Sequence, residues 1–208
     1  MHDISLAACV ASRICHDLVS PVGAIVNGVD LARDRDIGAS ERTETIGMIG
    51  QSAERSSALL QLYRIAFGTA DADSQSVARG ALAEHSTVLF APPRIVLEWQ
   101  GREGLALPRL EAKLVTLLLL CARSILGIRG TVLLRTSTRA AMPLSLEVTA
   151  ESLSSTADML ALLRGDALKE PMTPRAVEFV LARDVASDLE VRLDVVRAKG
   201  SVTISVEP

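Results

Sequence analysis

Ser12-Arg-Ile-Cys-His-Asp-Leu-Val-Ser-Pro-Val-Gly-Ala-Ile-Val-Asn27 is the stretch on which the reading of this chain turns. Ile14, Leu18, Pro21, Ile25, Val29 and Ala32 recur at steps of three or four, which places them on one apolar helix face. His16 lies two positions from both Ile14 and Leu18, and at about 100° per residue it points away from that face. Ser12, Ser20, Gly23, Asn27, Asp30 and Asp34 fall on the side of His16. The stretch therefore displays a histidine on a strip of small and polar side chains. The helix is expected from about Ile4 to Asp34, kinked at Pro21, whose ring removes an N–H and frees the carbonyl of Asp17.

A short polar turn, Arg35–Ala39, follows, and Ser40 with Thr43 or Glu44 gives a cap for a second helix. Ile46, Ile49, Ala53, Ser56, Leu60, Tyr63 and Phe67 then alternate at three and four, the spacing of a bundle seam. Leu59, Leu62 and Ala66 form a second strip beside it. A two-helix hairpin has nothing to cover two strips, so a second copy is expected to complete a dimeric four-helix bundle. The small, polar run Gly68–Ser74 reads as a linker, dividing the chain into residues 1–68 and 75–208.

Beyond the linker the pattern changes. A short helix is expected at Gln75–His85, a strand at Arg94–Trp99 and a helix from Pro108 through Leu126. Gly130–Ser137 and Leu144–Thr149 read as strands, Ser155–Arg164 and Pro174–Ser187 as helices. Leu189–Val196 and Ser201–Val206 read as strands joined at Lys199-Gly200. The order implies an α/β sandwich with helices on one face of a sheet, and an α+β chain overall.

Composition bounds the function. With 49% apolar residues but only 2% aromatics, the core must be Leu, Val, Ile and Ala. A net charge of -3 without a Lys/Arg cluster argues against nucleic acid as a partner. Cys9, Cys15 and Cys121 show no metal spacing, suit a reducing cytosol and read as small buried hydrophobes. Met1-His2-Asp3 lacks the basic region of a signal peptide, and Leu114–Cys121 is too short to span a membrane. A cytoplasmic location without membrane attachment is expected.

His16-Asp17-Leu18 with Pro21 three residues on is a string that chance gives to about one such chain in several hundred. On the outer face of the first helix of a hairpin, it resembles the phosphoacceptor box of sensor histidine kinases. The sandwich that follows resembles their ATP-binding domain. Kinases of that kind hold Mg²⁺ with a helical Asn and carry an Asp-x-Gly-x-Gly segment. Here the only asparagine is Asn27, the corresponding helix reads Leu117-Leu-Leu-Leu-Cys-Ala-Arg-Ser124, and no Asp-x-Gly-x-Gly occurs. A phosphoacceptor box without a nucleotide site is similar to the ChpT-like histidine phosphotransferases of alphaproteobacterial phosphorelays, most specifically over Arg13–Gly28.

The resemblance implies a homodimer that takes a phosphoryl group from the receiver domain of a hybrid kinase onto His16 and passes it to a response regulator. Asp17 would support the imidazole; Arg13, Ser20, Gly23 and Asn27 would frame it for the receiver. ATP is not expected as a cofactor, and the receiver would supply Mg²⁺. The chemistry agrees: imidazole, with an ordinary pKa of about 6.5, is largely neutral in the cytosol and offers a lone pair to phosphorus. Phosphoryl transfer asks mainly for positioning and charge neutralisation. An active kinase and a structural dimeric adaptor with a vestigial histidine are the alternatives. A Cys15–His16 hydrolase is a poor third, because neighbours i and i+1 on a helix are expected to diverge.

Overall fold

The computed structural model describes residues 2–68, 76–90, 94–102, 104–136, 144–154, 157–166 and 172–207, with side chains from residue 5 onward. Helix α1 (His2–Arg33) and helix α2 (Ala39–Ala66) form a hairpin. The periodic set on α1 lies inward as expected, with Pro21 buried and Ile14, Leu18, Ile25 and Val29 half-buried. The helices come close at Gly28, where an added Cβ would lie 2.6 Å from Cγ1 of Ile49. Arg42 closes the connection. Its guanidinium donates to the carbonyls of Ala32 at 2.5 Å and Asp34 at 2.9 Å, so it satisfies acceptors that the end of α1 leaves open. The cap expected at Ser40 is not formed. Gly38 is the N-cap without a side-chain bond, and Ser40 lies inside the helix. The Thr43 hydroxyl donates back to Ala39, a bond that competes with capping.

The strip Leu59, Leu62 and Ala66 is not a face left for a second copy. Leu62 and Ala66 are 0% exposed, and all three belong to the core of this chain, where α2 meets the second half. The large apolar residues that the hairpin leaves exposed are others: Val19, Val22, Val26 and Leu31 on α1, and Ile46, Met48 and Leu60 on α2. Cys15 is also exposed, unlike buried Cys9 and Cys121. From Ser5 to Arg33, α1 is long and apolar enough to cross a membrane by length and composition alone. In the fold it is half of a hairpin, with its inner face on α2.

The boundary at 69–75 lies outside the described residues. Past it, the expected helix at Gln75–His85 is split. Strand β1 (Ser76–Ala78) comes first, then helix α3 (Arg79–Ser86) and a 3₁₀ turn, Thr87–Leu89. The cause is non-local: β1 pairs antiparallel with strand β3 (Ala106–Pro108), Val77 opposite Leu107. Ladder bonds to a distant segment override local helix propensity there.

Strand β2 (Ile95–Gln100) and strand β4 (Gly130–Thr136) are parallel, joined through helix α4 (Arg109–Ile125), whose N-cap is Pro108. Strand β5 (Leu144–Thr149), helix α5 (Ala157–Leu163), helix α6 (Val177–Asp188), strand β6 (Arg192–Ala198) and strand β7 (Ser201–Glu207) complete the fold. The five-stranded sheet runs β2-β4-β5-β7-β6, antiparallel from β4 onward. Leu146 faces Ile204 and Val148 faces Val202, which sets one apolar side toward the helices. Helix α4 is the centre of the core: every residue from Leu114 to Ala122 is buried. The last strand pair starts later than the expected Leu189. Leu189 N–H and Val191 N–H bond back to the carbonyls of Val185 and Ala186, and Glu190 takes φ 57° to close α6. Lys199-Gly200 makes the expected turn, with Gly200 at φ 77°.

Candidate functional site

The side chain of His16 is 76% exposed, on the outer face of α1. Asp17 beside it is partly sunk between the helices. Oδ1 of Asp17 lies 2.9 Å from Nδ1 of His16, while its Oδ2 accepts from the hydroxyl of Tyr63 on α2. Nη2 of Arg13, one turn before Asp17, lies 3.4 Å from Oδ2 of Asp17 and 3.8 Å from Oε1 of Glu178 on α6. The Ser124 hydroxyl on α4 donates to Oε1 of Glu178 at 2.5 Å. A continuous polar chain therefore runs from the exposed imidazole through Asp17 and Arg13 to the core of the second half. It ties α1 to α2, α6 and α4.

Burial pushes the pKa of Tyr63 up, and the hydrogen bond to Asp17 with its charge adds to the effect. Tyr63 is thus a fixed donor that holds the carboxylate in place. Burial also raises the pKa of Glu178, opposed by the Arg13 guanidinium and the Ser124 hydrogen bond. A raised folded-state pKa means a contribution to stability that is complete below the ordinary value of 4.5 and fades as pH rises through the raised one. Glu178→Gln, neutral at every pH, should therefore gain stability relative to the unaltered chain between pH 4.5 and 7.5, as read by urea midpoints. A variant that instead loses ground toward pH 7.5 would show that the Arg13 pair outweighs burial.

A cavity of about 330 Å³ opens beside His16, where the hairpin meets the second half. His16 and Asp17 line it with Arg13, Arg55 on α2, Arg123 on α4 and Arg175 before α6. Among the described residues no cluster of His, Cys, Asp and Glu is placed to hold a metal ion.

The other residues singled out in the sequence divide into two sets. Ser20 and Asn27 are exposed on the side of His16 and Gly23 is half-exposed between them. A Cβ at Gly23 would meet nothing within 4 Å beyond its own helical backbone, so among the described residues no packing neighbour requires a glycine there. Arg13 is apart from them, turned inward to Asp17 and Glu178. Tyr63, Glu178, Arg55, Arg123 and Arg175 stand in no motif that marks them as site residues. The spacing along α2 puts Tyr63 in a bundle seam, although as the only tyrosine in the chain it is a visible signal. Glu178 gives a signal of the same kind, an acid within the apolar run Ala176-Val-Glu-Phe-Val180.

Residues 79–201, more than half of the chain, match the family described as the histidine phosphotransferase C-terminal domain. Over 205 residues the chain is 29% identical to protein phosphotransferase ChpT of Brucella abortus (strain 2308), covering 98% of this chain and 96% of that one. A solved bacterial phosphotransferase superposes with a TM-score of 0.75 at 28% identity, over 98% of this chain and 96% of that structure. Hairpin, sheet and site residues thus lie in a chain aligned almost end to end with phosphotransferases, and it belongs to the ChpT-like histidine phosphotransferase family of two-component phosphorelays.

Proposed function

We propose that His16 carries the phosphoryl group, on Nε2, between the aspartate of one receiver domain and that of a response regulator. The observation behind this is the contact of Nδ1 with Asp17. A carboxylate only accepts hydrogen bonds, so Nδ1 carries the hydrogen and the lone pair rests on Nε2. Tyr63 and Arg13 hold the carboxylate in that role. In the forward step the Nε2–P bond forms while the P–O bond of the aspartyl phosphate breaks, and the receiver's carboxylate leaves with the electron pair. The ring becomes cationic, and Asp17 beside Nδ1–H stabilises that charge. The second receiver reverses the step. Mg²⁺ belongs to the receivers, and Ser20, Gly23 and Asn27 form the surface on which they dock. The test is transfer of label from a phosphorylated receiver domain to the purified protein, with ³¹P NMR to locate phosphorus on the ring. Phosphorus on Nδ1, or none, would refute the reading.

The same reading makes the protein a cytoplasmic homodimer. Val19 is 70% exposed and Ile46 57%, and with Val22, Val26 and Leu60 they leave the outer hairpin unusually apolar. A second hairpin covers such residues and completes a four-helix bundle. Membrane insertion is disfavoured because α1 carries the charged Arg13 and Asp17 within that apolar stretch. Val22→Glu with Val26→Glu should yield a folded monomer in sedimentation at tens of micromolar. An unaltered protein that is already monomeric there would rule the dimer out.

Domains 1–68 and 75–208 then divide the labour, the hairpin carrying phosphate and the sandwich bracing it without a nucleotide. The basis is the sequence: no asparagine follows Asn27 and no Asp-x-Gly-x-Gly occurs. Calorimetric titration with Mg-ATP should give no saturable heat up to millimolar nucleotide. Micromolar binding would restore the kinase alternative.

A further inference from the structure

Four arginines, Arg13, Arg55, Arg123 and Arg175, line the cavity beside His16, and among the described residues Asp17 brings the one carboxylate that lines it with them. Arg13 is engaged by Asp17 and Glu178. Among the described residues the side chains of the other three make no hydrogen bond or ion pair. They come from three separate segments: α2, α4 and the turn before α6. Their meeting is therefore a product of the fold and not of a local charge run. Arg123 is half-buried, and burial first, then the neighbouring Arg13 and Arg55, lower its pKa, while Asp17 acts in the opposite sense. Cations gathered in a partly enclosed space repel one another until an anion joins them.

We propose that this cavity is a tetrahedral-oxyanion site in which Arg55, Arg123 and Arg175 hold the phosphoryl group of His16 between receivers. The inference rests on His16 as the carrier and adds what shelters its cargo. A phosphoryl group carries a charge approaching -2, and guanidinium forks pair with its oxygens two at a time. The volume of about 330 Å³ is several times the ~30 Å³ share of a water molecule, so the group fits with part of its hydration. Loss of phosphate by hydrolysis needs a water oxygen to bond to phosphorus. The Nε2–P pair then returns to the ring and inorganic phosphate leaves. Oxygens held by arginines within a walled cavity leave fewer lines of attack for that water.

The experiment labels the protein with a small phosphodonor, phosphoramidate, so that no receiver is involved, and follows the decay of the label on His16. The rate is read on whatever label has entered, so it does not depend on labelling efficiency. Arg123→Met should shorten the half-life by about tenfold, and so should Arg175→Met, which sits at the surface and leaves the core intact. Inorganic phosphate titrated into His16→Ala protein, followed by NMR of the arginine side chains, separates a free anion from the covalent one. Millimolar binding that vanishes with Arg123→Met would show that the site also accepts free phosphate, in support of the anion site. Label that decays at the unaltered rate in both methionine variants would overturn the inference while leaving His16 as carrier. Failure of the unaltered protein to take label would overturn both.

Discussion

His16→Ala is expected to accept no phosphate from a phosphorylated receiver, with label falling to the level of a blank. The chain has three histidines, and only His16 stands in a His-Asp-Leu-x-x-Pro string on the outer face of α1. His85 lies in the last turn of α3, half-buried. His2 lacks the string altogether. Alanine is the best helix former, and the replaced ring is 76% exposed, so stability should change by no more than about 0.5 kcal/mol. The loss would thus be chemical, because no other group in the protein offers a neutral nitrogen lone pair in that position. Label retained by a folded His16→Ala protein would move the acceptor elsewhere and dissolve the role given to Asp17 and Tyr63.

Gly23→Leu should be as stable as the unaltered protein or slightly more so, yet transfer phosphate about 100-fold more slowly. A glycine inside a helix costs about 1 kcal/mol relative to alanine, and leucine recovers most of that. Nothing in the chain resists the change, since a Cβ at Gly23 has open space around it. Gly23 shares the face of His16, two turns on. An aspartyl phosphate must come within roughly 3–3.5 Å of the imidazole, which brings the receiver's backbone close to α1, and a leucine would hold it off. Stopped-flow or quenched transfer, paired with thermal unfolding, separates the two effects. A stably folded variant that transfers at the unaltered rate would place docking on another surface.

On the proposed function, the link Asp17–Arg13–Glu178 would give the second half of the chain a part in the chemistry, by holding the carboxylate beside His16 from behind, through α6 and Ser124 of α4. Stiffness between the hairpin and the sandwich follows from the same contacts as the packing of Leu59, Leu62 and Ala66.

Most of this architecture was open to the sequence because most of it is local. The period of three and four along Ile14, Leu18, Pro21, Ile25 and Val29 determines both the helix and its inner face, and with them the exposure of His16. Strands β4, β5 and β7 likewise follow from alternation between turn signals. What tertiary structure alone decided is every feature that depends on partners far apart in the chain. Ser76–Ala78 became a strand because Ala106–Pro108 lay alongside it. Leu59, Leu62 and Ala66 went to the core of their own chain because α3 and α4 packed against α2, and Val19, Val22 and Val26 were left exposed. Tyr63 reached Asp17, Glu178 reached Arg13, and Arg55, Arg123 and Arg175 came to line one cavity with His16. A helical period reports which side of a helix is apolar; which neighbour covers that side, and which charges meet across it, is settled only when the elements pack.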